Sequence, residues 1–233
     1  MGSFRHGQRQ FPPALRILGL APLGIFIFHV HYHASRGNWG ETLWMCIMSN
    51  LLLGLGLLLG WPGLVRLGVI WLIPGLPLWI MDTIRVGWVT VISVCTHVVA
   101  PMVGLAALRR IGAARNTWLH AFLWFLLLQE LARLFTPQEL NVNVAHTMYP
   151  GWERVFGAYW QYWLFISSGS AVMLWVVNRA LLWFAPPCQD AEALDTPPAN
   201  SEDLKIQSSN AIPTISTHSS TSSQVSNQSG SSR

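Results

Sequence analysis

The feature that most constrains this chain is a succession of apolar runs, each near the length that crosses a bilayer, separated by short connections carrying arginine. A helix needs about 20 apolar residues to traverse the hydrocarbon core. Six runs reach or approach that length: 15–30, 42–60, 67–81, 86–108, 118–135 and 158–184. Lipid offers no hydrogen bonds to a bare backbone, so such runs predict helices. The expected fold class is all-α, a polytopic transmembrane bundle of about six helices. The third run is short and contains Pro74, Gly75 and Pro77, which predicts a short, proline-kinked helix beside a cavity. Composition points the same way: charged residues make up only 10% of the chain, against about 25% in an ordinary soluble domain. A soluble surface cannot be built from so few charges.

Residues 1–14 read as an N-terminal segment, 15–188 as the membrane domain and 189–233, where Ser, Thr, Asn, Gln and Pro take over, as a disordered tail. Orientation follows from arginines in short loops. With the N-terminus inside, Arg5, Arg9, Arg16, Arg66, Arg109, Arg110, Arg115 and Arg179 lie on the cytoplasmic side, and Arg36, Arg85, Arg133 and Arg154 on the other. Both termini are therefore expected in the cytoplasm. Trp39, Trp61, Trp88, Trp118, Trp152 and Trp183 fall near span ends, where an indole settles among headgroups. The arginines form no block that would track a phosphate backbone, so the expected partner is membrane lipid and not nucleic acid. Nothing in the sequence names a protein partner. Cys46, Cys95 and Cys188 lack C-x-x-C spacing, and neither a disulfide framework nor a zinc site is expected. No convincing cleavage site follows the first run, which is read as a retained helix.

Polar groups at bilayer depth are costly, so they mark where function is to be sought. Cys46 and Asn50 are four apart and share a helical face. Cys95, Thr96, His97 and Pro101 cluster in the fourth run. A cysteine becomes a nucleophile when a neighbouring base favours its thiolate, and His97 could be that base; the competing reading makes Cys46 a small core residue and His97 an interhelical hydrogen-bond donor. Asn50 is the nearest donor candidate for a developing oxyanion. His29 and His33 have metal-ligand spacing, but they sit where histidines are ordinary interface residues, and no metal or cofactor is expected. Gln129, Glu130 and Arg133 read either as a structural ion pair or as a headgroup clamp through the Arg133 guanidinium. Asp82 is placed just past the third helix, facing water beside Arg85. The connection 136–157, with Asn141, Asn143, His146 and Tyr149, is long enough to be functional.

Cys46 in the second helix, Thr96-His97 followed by Ala100-Pro101 in the fourth, and Asn141-Val142-Asn143 after the fifth resemble, over about residues 42–150, the six-helix family of bacterial YwaF and transmembrane protein 164. The resemblance implies an intramembrane lipid acyltransferase or lipid-ester hydrolase in which Cys46 takes the acyl group and His97 is the base. Asn141 and Asn143 belong to the motif; with Asn50 and Arg133 they are the candidate substrate-binding or orienting residues. The family commonly carries Leu-Pro-Leu-His-Leu-Cys at the cysteine, where this chain has Glu41-Thr42-Leu43-Trp44-Met45-Cys46. The alternative is a non-catalytic membrane protein that binds lipid or a small molecule, or serves in transport or assembly.

Overall fold

The computed structural model describes residues 11–187, so Cys188, the tail expected at 189–233 and the first ten residues lie outside the described residues. Every regular element among the described residues is helical. Five helices are long and apolar enough to cross a membrane: α1 (Pro13–Ser35), α3 (Pro62–Val86), α4 (Val91–Ile111), α5 (Thr117–Phe135) and α6 (Tyr159–Phe184). The remaining apolar helix, α2 (Met45–Leu59), has 15 residues. At 1.5 Å per residue it is roughly 22 Å long, short of the ~30 Å hydrocarbon core.

This short helix is nonetheless the centre of the bundle. Ile47, Ser49, Asn50, Leu52, Leu53, Gly54, Gly56 and Leu57 are all buried, and α1 and α3 pack along it. Gly60, with φ +68°, ends it in the left-handed region, where glycine has no Cβ penalty. The Trp61 N–H then returns to the Gly56 carbonyl at 2.7 Å, and Pro62 opens α3 at the one helical position where its missing N–H is harmless. Gly60-Trp61-Pro62 is therefore a tight helical hairpin that fixes α2 antiparallel to α3. Close approach follows at Gly68: a Cβ there would meet the Ser49 carbonyl oxygen at 2.8 Å and the Leu53 nitrogen at 2.9 Å. Backbone packs on backbone, the arrangement small residues permit in lipid.

The third helix corrects the expectation drawn from its prolines. It runs unbroken for 25 residues with Pro74 and Pro77 inside it, so it is the opposite of short. Proline removes one intrahelical bond and crowds the preceding turn, but helical pairing continues beyond the apolar run. Asp82 and Arg85 consequently stand on the helix and not past it. Burial stops at Pro74. The last three turns travel along the outside of the bundle.

The fourth helix carries a π-helical turn at Cys95–Val99, where the Ala100 N–H reaches back five residues to the Cys95 carbonyl. Pro101 has no N–H to give to the helix at this point, and the wider turn accommodates that gap.

The bundle has two chemically distinct ends. At one, Arg66 donates to the Gly112 and Ile111 carbonyls, the Ala113 N–H bonds the Ala185 carbonyl and Asn178 donates to the Arg115 carbonyl. Arg16, Arg66, Arg109, Arg110, Arg115 and Arg179 gather toward it, and no acidic residue does among the described residues. At the other end, residues 36–44, 87–90 and 136–158 form a roof that carries Glu41, Glu139 and Glu153 with Arg36 and Arg154, and the adjoining ends of α3 and α5 add Asp82, Arg85, Glu130 and Arg133.

Candidate functional site

The candidate residues lie in the half of the bundle beneath the roof. Because α2 starts about level with the middle of α3, irregular backbone sits above it within the bundle, where protein must satisfy its polar groups. Asn143 does this. Its Oδ1 accepts from the Met45 N–H at 3.0 Å and its Nδ2 donates to the Leu43 carbonyl at 2.8 Å, so one side chain both caps α2 and ties down the 3-10 turn (Trp39–Leu43) before it. Asn143 is buried and adopts φ +51°, a left-handed conformation that asparagine tolerates better than most residues. Asn141, at φ +39°, organises the next turn: its Oδ1 accepts from the His146 and Thr147 N–H groups, each at 3.0 Å, and its Nδ2 donates to the Thr147 carbonyl.

The group on α5 supports the same loop. Gln129, almost wholly buried, donates to the Asn143 carbonyl at 3.1 Å and accepts from the Trp163 indole at 3.1 Å. Arg133 donates to the Ala145 carbonyl at 2.7 Å and the Tyr159 hydroxyl at 3.0 Å, and pairs with Glu130. The ion pair expected at i, i+3 is thus present, and the guanidinium is engaged with protein on three sides.

Cys46 occupies the first turn of α2. The first N–H groups of any helix lack intrahelical partners. Here Asn143 takes that of Met45, and the Trp44 carbonyl takes those of Ile47 and Met48. Among the described residues the Cys46 N–H has no carbonyl partner; it and the Ile47 N–H are directed at the Cys46 thiol. Asn50, one turn on, donates its Nδ2 to the Cys46 carbonyl at 2.8 Å, while its Oδ1 is buried without a partner. The oxyanion donor nearest the thiol is therefore the cysteine's own N–H.

His97 belongs to the π turn. A carbonyl only accepts, so its 2.9 Å contact with the Ser93 carbonyl puts the proton on Nδ1. Nε2 of the neutral ring is left as the bare nitrogen. The ring stacks on Trp79 at 5.2 Å, 6° from parallel, and Trp79 is anchored by a 2.6 Å bond from its indole to the Ser93 hydroxyl. Thr96, fully buried, donates to the Ile92 carbonyl and so must accept from His29 Nε2–H at 2.8 Å. That leaves His29 Nδ1 bare, buried and without a partner. His29 stacks on His33, whose Nδ1 lies 3.1 Å from Glu41.

Depth can be read from the helix register. Gly68 faces Ser49 and Leu53 across the antiparallel α2–α3 hairpin, which brings Cys46 about level with residues 71–75 of α3 at 1.5 Å per residue. Gly75 in turn faces the His97 ring, its would-be Cβ 4.0 Å from Cδ2. Thiol and imidazole therefore lie at similar depth on packed elements, with no hydrogen bond between them. No group of three or more His, Cys, Asp or Glu is placed to hold a metal among the described residues.

Sequence reasoning singled out Thr96 but not its bond to His29, and it missed Trp79 and Ser93, for which the four-residue spacing of Ser93 and His97 was a signal. It also missed a cleft of about 540 Å³ at the roofed end, lined by Arg85, Glu139, Asn141, Thr147 and Tyr149 among others. Comparison with family models, curated proteins and solved structures finds no match to this chain.

Proposed function

We propose that this multi-pass membrane protein is an acyl-transfer enzyme acting on a lipid ester, the activity implied by its resemblance to the YwaF and transmembrane protein 164 family. The observation that carries the reading is a cysteine at a helix start whose own N–H serves no carbonyl and is directed at its thiol, at the depth of a histidine with a bare Nε2. In the proposed step His97 Nε2 takes the thiol proton and Cys46 Sγ attacks the ester carbonyl. The carbonyl oxygen gains charge as the C–S bond forms, and the Cys46 N–H is the donor placed beside it. Collapse breaks the ester C–O bond, and the proton held by His97 passes to the departing alkoxide. Water or a second lipid hydroxyl then takes the acyl group and regenerates the thiol. Asn50 holds the Cys46 carbonyl, and Asn143 holds the helix start that presents the thiol.

The test is lipid turnover by the purified full chain, with Cys46→Ala and His97→Ala beside wild type. Turnover falling by at least about a hundredfold in each supports the mechanism, since general-base catalysis alone contributes about 10²–10⁴. Wild-type turnover in both variants overturns it. A second reading, lipid binding without catalysis, draws on how many of the buried amides are bound to backbone: Asn50, Gln129 and Asn143 all serve carbonyls. It expects no turnover by wild type and no labelling of Cys46 by an electrophilic lipid ester.

A further inference from the structure

The cleft at the roofed end holds two opposite charges that do not meet. Arg85 and Glu139 line the same space. Among the described residues neither forms an ion pair, with the other or with anything else, although Asp82 stands one turn from Arg85 on α3. Among the described residues Arg85 has one hydrogen bond, from Nη1 to the Tyr149 hydroxyl at 3.1 Å, with its guanidinium 5.9 Å from that ring. A guanidinium offers five N–H donors in a planar fork, so most of its capacity is unspent. The cleft wall is stiff because the Asn141 side chain locks the 141–147 turn.

Its surroundings place it against lipid. Met81 and Ile84, on the same stretch of α3, are 68% and 76% exposed, and Trp88 just beyond is 66% exposed. An exposed apolar flank ending in an arginine and an indole is the signature of the headgroup level. Register puts Arg85 about 15 Å nearer the roofed end than Gly75, so this cleft is separate from the Cys46–His97 level.

We propose that the cleft binds a zwitterionic phosphodiester, the headgroup of a membrane phospholipid: the phosphate is held by Arg85 with the Tyr149 hydroxyl, and the ligand's ammonium by Glu139. Arg85 can engage two phosphate oxygens at once. A carboxylate that lines the same cleft unpaired favours a ligand that brings its own positive charge and disfavours one that adds negative charge. An unpaired Arg and Glu in one cleft are accounted for by a ligand that bridges them. The volume, about 540 Å³, falls in the ordinary range for a small-ligand site.

The test uses the purified full chain in detergent and native mass spectrometry to count retained lipid, with phosphatidylcholine, phosphatidylglycerol and diacylglycerol as probes. Phosphatidylcholine is expected to be retained, diacylglycerol not. Arg85→Gln should weaken phosphatidylcholine retention at least about tenfold, and Tyr149→Phe and Glu139→Gln several-fold; Glu139→Gln should also narrow the preference over phosphatidylglycerol. Thermal melting of each variant verifies folding, and Tyr149→Phe, which removes one oxygen, keeps the test open if Arg85→Gln does not fold. Equal retention by wild type, Arg85→Gln and Tyr149→Phe overturns the proposal, as does equal retention of diacylglycerol. Glycerophosphocholine distinguishes the sources: displacement of the lipid only at far higher concentration means a membrane headgroup, and displacement at matching concentration means a soluble phosphodiester in the same site. Cys46→Ala should bind like wild type, so the cleft and the acyl-transfer reading can fail separately.

Discussion

At the scale of single residues, the most consequential side chain after Cys46 is Asn143. It serves a donor on Met45 and an acceptor on Leu43, nearly a hundred residues away in the chain. Replacing it with alanine leaves both groups buried and unsatisfied, and such a loss costs about 1–3 kcal/mol. Asn143→Ala should therefore lower the unfolding midpoint in detergent and also reduce turnover, because the start of α2 loses its anchor. Asn143→Asp keeps the acceptor for Met45 but loses the donor to Leu43 and adds a buried charge, so it should be no better than alanine. Cys46, His97 and Asn143 were legible in the sequence because a polar residue in an apolar run, or an Asn-x-Asn step, stands out. Arg85 and Tyr149 were not. They are 64 positions apart, and nothing local to either one announces a contact that only the path of α3 and the roof creates.

Among the elements, α2 and α3 show what periodicity and length can and cannot reveal. Apolar runs located the helices because lipid leaves the backbone few alternatives. The same runs misjudged α3, since a helix ends where its pairing ends and not where its apolar run ends; Asp82 and Arg85 lie inside it. The π turn in α4 was hidden for a different reason. Pro101 signals lost pairing, but the sequence does not say whether a kink or a wider turn absorbs it. Close contact of α2 with α3 rests on Gly68, whose two nearest neighbours are backbone atoms that cannot swing aside. Gly68→Ala should destabilise the bundle by about 1–3 kcal/mol through overpacking, read as a lower melting temperature. Gly24→Ala, where a Cβ meets nothing within 4 Å, is the matched control and should melt like wild type.

Over the whole molecule, the two ends differ in charge more sharply than the loop-by-loop reading of the sequence required. Among the described residues, one end carries arginines and no acid, and the acids all lie at the other. The positive-inside tendency predicts that the arginine end faces the cytoplasm. A single cysteine introduced by Glu153→Cys should then react with a membrane-impermeant maleimide on intact cells, and one introduced by Ala114→Cys should react only after lysis, each in a background lacking the native cysteines. The reverse pattern would place the roof, the cleft and the candidate site on the cytoplasmic face.

The uneven ends also make the protein an electrical object. In a membrane polarised negative inside, each positive charge carried outward works against about 2.3 kcal/mol per 100 mV, and the arginine end would take Arg16, Arg66, Arg109, Arg110, Arg115 and Arg179 with it. The opposite end carries nearly balanced charge and offers little in return. With the arginine end inside, a resting potential would act as a ratchet on this molecule: once inserted it would have no inexpensive way to turn over, and de-energising the membrane during synthesis is the condition under which inverted copies should accumulate.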